Sequence, residues 1–291
     1  MSALIGDVAV VTDSTAYLPR ELVGLHGLGV VPLHVVIDGR SYDETSEADA
    51  AMVADALRRH RQVSTSRPGP QAFLEAYRAA AARGHRAAVS VHLSAEMSGT
   101  YESACAAAAA APIPVQVLDS RQLGLGLGFA VLSAAAVAAA GGAVEQVVQA
   151  AVDRAAATST YFYVNTLEYL RRGGRIGAAR ALLGSALAVK PLLQVENGQI
   201  ALLEKVRTAS RGVARLEEKA VADALAANGG VDIGVHHLAA ADRAAALAQR
   251  LRNRVPGLRD LHVQEVGAVI GAHVGPGMLA VVIAPLLPPP G

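Results

Sequence analysis

Along most of the chain, short apolar runs of strand length alternate with longer segments of helical spacing. Val8 to Thr12 is apolar and stops at Asp13-Ser14-Thr15, after which Pro19 opens a polar helical segment. Pro suits a first helical turn because the N–H it lacks has no partner there. Gly29 to Ile37 (GVVPLHVVI) reads as a β-branched strand, stopped by the turn signal Asp38-Gly39. Glu47 to Arg61 has helical periodicity, as does Gln71 to Ala82 after the break at Pro68-Gly69-Pro70. Ala87 to Leu93 is a strand that runs into Ser94-Ala95-Glu96-Met97-Ser98-Gly99-Thr100 and an Ala-rich helix. Val115 to Leu118 is a further strand, closed by Asp119-Ser120 before long Ala-rich helices. This order of strand, polar turn and helix predicts a parallel sheet with helices on both faces. Ligands of such sheets bind beyond the carboxyl ends of the strands, where those three polar segments fall.

The second half has a different pattern. Tyr161 to Asn165 reads as a strand and is followed by a basic turn, Arg171-Arg172-Gly173-Gly174-Arg175. Lys190 to Val206 holds two apolar runs around Asn197-Gly198, the strongest short hairpin signal. A helix over Thr208 to Ala227, a strand over Val231 to His237, a helix over Ala240 to Arg252 and terminal strands complete the pattern. The expectation is a two-domain α/β chain: an N-terminal domain over 1–160 with a parallel sheet and helices on both faces, and a C-terminal domain over 161–291 with a mixed sheet and helices on one face. The tail Pro288-Pro289-Pro290 is expected to fray, and no internal repeat is visible.

Composition narrows the function classes. Hydrophobic residues make up 52% of the 291 positions but aromatics only 3%, so the cores must be built from Ala, Val and Leu. Lys and Arg number 26 against 25 Asp and Glu, a net charge of +1. No basic surplus holds a phosphate backbone and few rings stack on bases, so nucleic acid is not an expected partner. The single Cys105 excludes an intrachain disulfide framework and a multi-thiolate metal site. It opens an Ala run and is expected to pack inside a helix. The first residues reach Asp7 with no basic flank before the apolar run, so no secretory leader is expected and the location read is cytoplasmic. Leu123 to Val144 carries no charge for 22 residues, long enough to span a bilayer, yet it is mostly Ala and Gly without aromatic anchors. A buried helix is expected there, and no integral membrane segment.

Several segments carry candidate chemistry. Gly124-Leu125-Gly126-Leu127-Gly128 fits neither the dinucleotide fingerprint nor the phosphate loop, so close helix packing is the better reading. Ser98-Gly99-Thr100 lies between a strand end and a helix start, where hydroxyls and backbone N–H groups either hold an anion or cap the helix. Thr65-Ser66-Arg67-Pro68 is a second hydroxyl-rich helix entry open to the same two readings. Gly271-Ala272-His273-Val274-Gly275-Pro276-Gly277 places one His in a loop where it is either structural or, with glycines letting the backbone approach a ligand, a donor to a carboxylate. His236-His237 ends a strand without acidic or Cys companions, a weak metal signal. Arg171, Arg172 and Arg175 form either a phosphate or partner site or a solvated turn.

Taken together, VVTDSTAYLP, VPLHVVIDGRSYDE, STSRP, LSAEMSGTYESA, VLDSRQLGLGLG, FYVNTLEYLRRGGRIGAARALLGSALAVKPLL and GAHVGPG resemble, in order and spacing, the DegV family of bacterial fatty-acid-binding proteins. That family includes the FakB subunits of fatty acid kinase. The resemblance implies two α/β domains with an acyl tunnel between and into them. It implies that Thr65, Ser98 and His273, with Ser94, hold the carboxylate of a long-chain fatty acid, with no other cofactor. It further implies that a separate FakA-like, ATP-dependent kinase converts the bound acid to an acyl phosphate, with Arg175 and Arg172 serving transfer or kinase contact. The chain would then be a substrate-presenting subunit and not itself an enzyme. Two positions depart from the family pattern: Arg67 stands where Gln is frequent and Ala95 where a second Ser is frequent. Other classes remain open, namely a hydrolase using Ser98 or Ser94 with His273 and an Asp such as Asp119, and a phosphate-ligand binder without a lipid tunnel. Against the hydrolase, no G-x-S-x-G elbow is present, since Ser98 follows Met97.

Overall fold

The computed structural model describes residues 7–182, 190–227 and 229–287; the three tail prolines lie outside them. β1 (Val8–Asp13) passes through one 3-10 turn to α1 (Arg20–Leu25) and β2 (Gly29–Val31). Next come β3 (His34–Ile37), β4 (Arg40–Asp43), α2 (Ala50–Arg58) and β5 (Val63–Ser66). They are followed by α3 (Pro70–Ala82), β6 (Ala87–His92), α4 (Thr100–Ala108), β7 (Val115–Asp119), α5 (Leu125–Ala139) and α6 (Val144–Ala157). The second half contains β8 (Ser159–Tyr163), α7 (Glu168–Arg172), β9 (Lys190–Glu196), β10 (Gln199–Val206) and α8 (Ala209–Ala226). It ends with β11 (Val231–His237), α9 (Ala241–Arg254), β12 (Leu258–Glu265), α10 (Ala268–Val274) and β13 (Leu279–Pro285).

These elements gather into two compact units, and a single cut near residue 160 does not describe them. One unit takes the chain up to Leu33 and from Arg67 to Ala157; the other takes His34–Ser66 and Thr158–Leu286. The reason lies in GVVPLHVVI, which is two strands in place of the expected one. Pro32 has no N–H for a ladder, the Leu33 N–H donates to Ser14 Oγ at 3.0 Å, and β3 then pairs with β4 and β5 in place of β1. Val35, Ile37, Val53 and Leu57 bury themselves with Ala268 and Ala272 of α10, which assigns residues 34–66 to the second unit.

In the first unit the sheet order is β2-β1-β6-β7, all parallel. Every residue of β1 is buried, which requires cover on both faces. Phe73 and Tyr77 of α3 and Ala104 and Ala107 of α4 pack with Val11 and Val31, while α5 and α6 pack on β1, β6 and β7. The uncharged stretch from Leu123 is not one helix: α5 stops at Ala139, and Gly141 turns the chain with φ +82° before α6. Among the described residues no helix is long and apolar enough to cross a membrane.

The second unit has a mixed sheet, β10-β9-β8-β13-β11-β12, in which only β11 and β12 are parallel. Leu216 and Ala220 of α8 and Leu247 and Leu251 of α9 share one core with Ile233, Val235, Val281 and Ile283. The Asn197-Gly198 turn is present, both residues at positive φ, with Glu196 opposite Gln199. The unit also carries a second sheet that the sequence pattern did not announce, the antiparallel β4-β3-β5. Its Asp38-Gly39 turn joins β3 to β4 with both φ values positive, as a tight hairpin demands.

The Gly-rich start of α5 is a packing device. A Cβ on Gly128 would come within 2.8 Å of the Ala16 carbonyl oxygen and 3.0 Å of Leu18. Gly128→Ala is therefore expected to lower the urea midpoint by an amount equivalent to about 1–3 kcal/mol, the usual cost of overpacking. An unchanged midpoint would contradict the packing of α5 against the turn after β1.

Candidate functional site

In the second unit, Thr65 near the end of β5 and His273 on α10 meet side chain to side chain. Thr65 Oγ1 and His273 Nε2 are 2.9 Å apart although 208 positions separate them in sequence. Two of the sequence expectations change here. Thr65-Ser66 is not a helix entry but the end of a strand paired with β3, Val35 opposite Thr65. His273 is not in a loop but on the last turn of a short helix. The first turn of that helix is fixed by Glu44 Oε1, which accepts from the Val269 N–H at 2.7 Å. Gly275 and Gly277 do have positive φ, but the space a Cβ would need there is taken by Tyr169 and Asn165 of the same unit.

Burial pushes the His273 pKa down to about 4, with the nearby positive charge of Arg175 acting in the same sense. The imidazole is thus neutral at pH 7, with one N–H to give. Its Nδ1 is enclosed and has no hydrogen-bond partner among the described residues. Gly173 lies directly against that nitrogen, and a Cβ there would collide with the ring. Gly173 therefore lets the basic turn pass His273, while Gly174 supplies the positive φ of that turn.

The three Arg side chains of the turn are exposed but not equivalent. Arg171 and Arg172 both donate to Glu168, at 2.7–2.8 Å, from α7. Their hydrogen bonds pull the Glu168 pKa down to about 2. Arg175 instead donates Nη1 to the Gly173 carbonyl at 2.7 Å. A cavity of about 530 Å³ opens in this unit, with Val36, Leu57, Arg61, Tyr169, Arg172 and His273 among its lining residues.

In the first unit, the turn after β6 carries Ser94 and Ser98. Ser94 is fully buried, and its carbonyl accepts from the N–H groups of Met97 and Ser98 while its Oγ accepts from Glu96. The Leu93, Ser94 and Ala95 N–H groups donate to Asp13 Oδ2, the Gln122 carbonyl and Asp119 Oδ1 respectively. All amides from Leu93 to Ser98 are thus consumed inside the protein, so the turn offers hydroxyls and not a cradle of N–H groups. Ser98 Oγ lies 2.8 Å from Thr100 Oγ1, and the cap of α4 is Gly99 with no side-chain bond, which removes the N-cap reading of Ser98. Arg67 reaches the same place, its Nη1 donating to the Gly99 carbonyl at 3.4 Å.

Sequence reasoning missed a buried chain behind this turn. Tyr77 donates to Ser90 Oγ at 2.9 Å, which leaves the Ser90 proton for His92 Nε2 at 2.7 Å, so that His92 Nδ1–H points to Asp13 Oδ2 at 3.1 Å. The order resembles a hydrolytic Ser-His-Asp relay, yet Ser90, His92 and Asp13 are all 0% exposed and no substrate reaches the hydroxyl. The signal available in sequence was Asp13 and His92 at neighbouring strand ends. Elsewhere, Cys105 sits in α4 as expected but has a polar neighbour, the hydrogen-bonded Tyr101. His237 has an acidic neighbour, Glu265, at 3.6 Å. No cluster of metal-ligating side chains occurs among the described residues.

Comparison with known proteins follows the same outline. A family model described as "Uncharacterised protein, DegV family" matches residues 7–286. A DegV domain-containing protein of Streptomyces coelicolor is 60% identical over 277 residues, covering 95% of this chain and 98% of the relative. Among solved structures, a DegV family protein from Thermus thermophilus described by its fatty acid binding superposes with a TM-score of 0.90 at 32% identity, covering 96% of this chain and 99% of that one. DegV of Bacillus subtilis, described as a fatty acid binding protein, gives 0.88 at 33% identity, covering 97% and 100%. The chain is a member of the DegV family.

Proposed function

We propose that this protein binds a long-chain fatty acid in a buried tunnel, in the cytoplasm, and presents its carboxyl group to a separate FakA-like, ATP-dependent fatty acid kinase that forms the acyl phosphate. In this reading Thr65, Ser98 and His273, with Ser94, serve the carboxylate, and the protein performs no chemistry of its own. The observation that carries the reading is the Thr65–His273 pair, two expected head-group donors brought to 2.9 Å by strand and helix. The fatty-acid-binding description of the Thermus and Bacillus relatives, alike over nearly the whole chain, supports the same ligand. Each buried CH₂ contributes about 0.8 kcal/mol, so an acyl chain binds tightly without catalytic machinery. The hydrolase alternative draws no support: a triad base is oriented by a carboxylate on its second nitrogen, and His273 Nδ1 has no partner among the described residues.

Protein purified without added lipid is expected to show in native mass spectrometry one extra mass matching a long-chain fatty acid, removed by solvent extraction. Lipid-free protein that takes up neither palmitate nor oleate would overturn the reading, and retention of a phosphorylated small molecule instead would favour the phosphate-ligand class.

Thr65→Val, Ser98→Ala and His273→Ala should each weaken binding of a labelled fatty acid about tenfold or more, since a hydrogen bond to a charged group is worth roughly 1.5–3 kcal/mol. Normal affinity in all three, with unchanged circular dichroism, would remove these residues from the head-group site.

Arg175 separates binding from transfer. Its exposed guanidinium suits a phosphoryl group or an acidic kinase surface. Arg175→Ala is expected to keep fatty-acid affinity while lowering acyl-phosphate formation with the kinase and ATP, and Arg175→Lys to recover part of it. Arg172, already engaged by Glu168, should show the smaller effect. Equal losses of binding and turnover in Arg175→Ala would place it in the lipid site or the fold instead.

A further inference from the structure

The buried carboxylate of Asp13 has four donors. Oδ1 accepts from the Thr15 N–H at 3.1 Å and the Thr15 hydroxyl at 2.5 Å. Oδ2 accepts from the Leu93 N–H at 3.0 Å and from His92 Nδ1 at 3.1 Å. One oxygen therefore closes the turn after β1, and the other holds the end of β6, one residue before Ser94. Burying a carboxylate is expensive, and the Thr15 turn alone does not require it. An Asn satisfies both Thr15 donors with its carbonyl oxygen. Only a carboxylate presents a second acceptor to Leu93 and His92 as well.

We propose that Asp13 is a positioning residue for the head-group turn, fixing from its base where Ser94 and Ser98 stand. The Leu93 N–H is the first of three consecutive amides that anchor the turn to three separate acceptors, and the Asp13 bond is the only one of the three made to β1. The Leu93 bond is made by Asp13 directly and does not pass through His92, which shares the same oxygen. The His92 ring also packs roughly perpendicular to Phe73, with centroids 5.0 Å apart. The effect on ligand affinity rests on the function proposed above, whereas the effect on the turn itself does not.

The test uses the full chain in three variants and two measurements. Asp13→Asn keeps the shape and the Thr15 bonds but turns an N–H₂ toward the Leu93 N–H. Thr15→Val removes one donor from Oδ1 and is a milder perturbation of the same carboxylate. Ser90→Ala breaks the buried chain between Tyr77 and His92, touches no partner of Leu93 and leaves the Asp13–Leu93 bond in place. In ligand-free protein, hydrogen exchange resolved to residues 93–98 is expected to rise roughly tenfold in Asp13→Asn, the equivalent of one lost hydrogen bond to a charged group. The rise should be smaller in Thr15→Val. Palmitate affinity should fall in the same order. Ser90→Ala should lower the urea midpoint yet leave exchange of 93–98 and affinity near wild type. Wild-type exchange in both Asp13→Asn and Thr15→Val overturns the proposal. So does loosening of 93–98 in Ser90→Ala as large as in Asp13→Asn, because the turn would then merely follow global stability. Should Asp13→Asn not fold, the Thr15→Val and Ser90→Ala pair decides by the same criterion. Wild-type protein that binds no palmitate counts against the proposed function, while the exchange data still decide the role of Asp13.

Discussion

The hydrogen bond between Thr65 and His273 joins two pieces of chain, 208 positions apart, that a shared apolar core brings together. Thr65 stands on a strand whose partner, β3, leaves the first unit at Pro32, and His273 stands on a seven-residue helix too short to hold itself. The helix stays formed because Glu44 caps it and because Ala268 and Ala272 bury into the core of α2 and β3. Gly173 completes the enclosure, since any larger residue would displace the ring. Burial then keeps the imidazole neutral, so it acts at pH 7 as a single directed donor or acceptor and not as a cation.

A comparable economy governs the first unit, where carboxylates at strand ends serve backbone amides. Asp13 and Asp119, from β1 and β7, take the N–H groups of Leu93 and Ala95 after β6 between them. A parallel sheet brings its carboxyl ends to one edge, and short polar residues there find neighbours from the adjacent strands. The turn so held consumes its own amides from Leu93 to Ser98, which distinguishes it from a phosphate loop, where free N–H groups bind the ligand.

Much of this was legible in the sequence, and the gaps have physical causes. Most strands and helices and the Asn197-Gly198 hairpin follow local signals and lie close to where periodicity puts them, whereas Asp38-Gly39 read only as a turn that stops a strand, and β4 and β5 were not read as strands. The splitting of Gly29 to Ile37 was signalled by Pro32, but the destination of the second piece depends on apolar partners in α10 more than two hundred residues away. His273 read as a loop residue because its flanking glycines outweigh a helix of only two turns. The Thr65–His273 contact could come only from family resemblance, since spacing cannot reveal a bond across 208 residues. The Asp13–His92–Ser90 chain escaped because each residue looks ordinary at a strand end until the register of β1 and β6 sets them side by side.

A crystal structure of the protein loaded with palmitate would show whether the Thr65–His273 pair receives the fatty-acid carboxylate, as proposed. The expected complex has a carboxylate oxygen within about 2.5–3.2 Å of Thr65 Oγ1, ordinary hydrogen-bond range, with the His273 ring contributing or adjoining that bond and the acyl chain enclosed. A complex in which the carboxylate lies away from both side chains, or in which the acyl chain and not the head group packs against them, would contradict it.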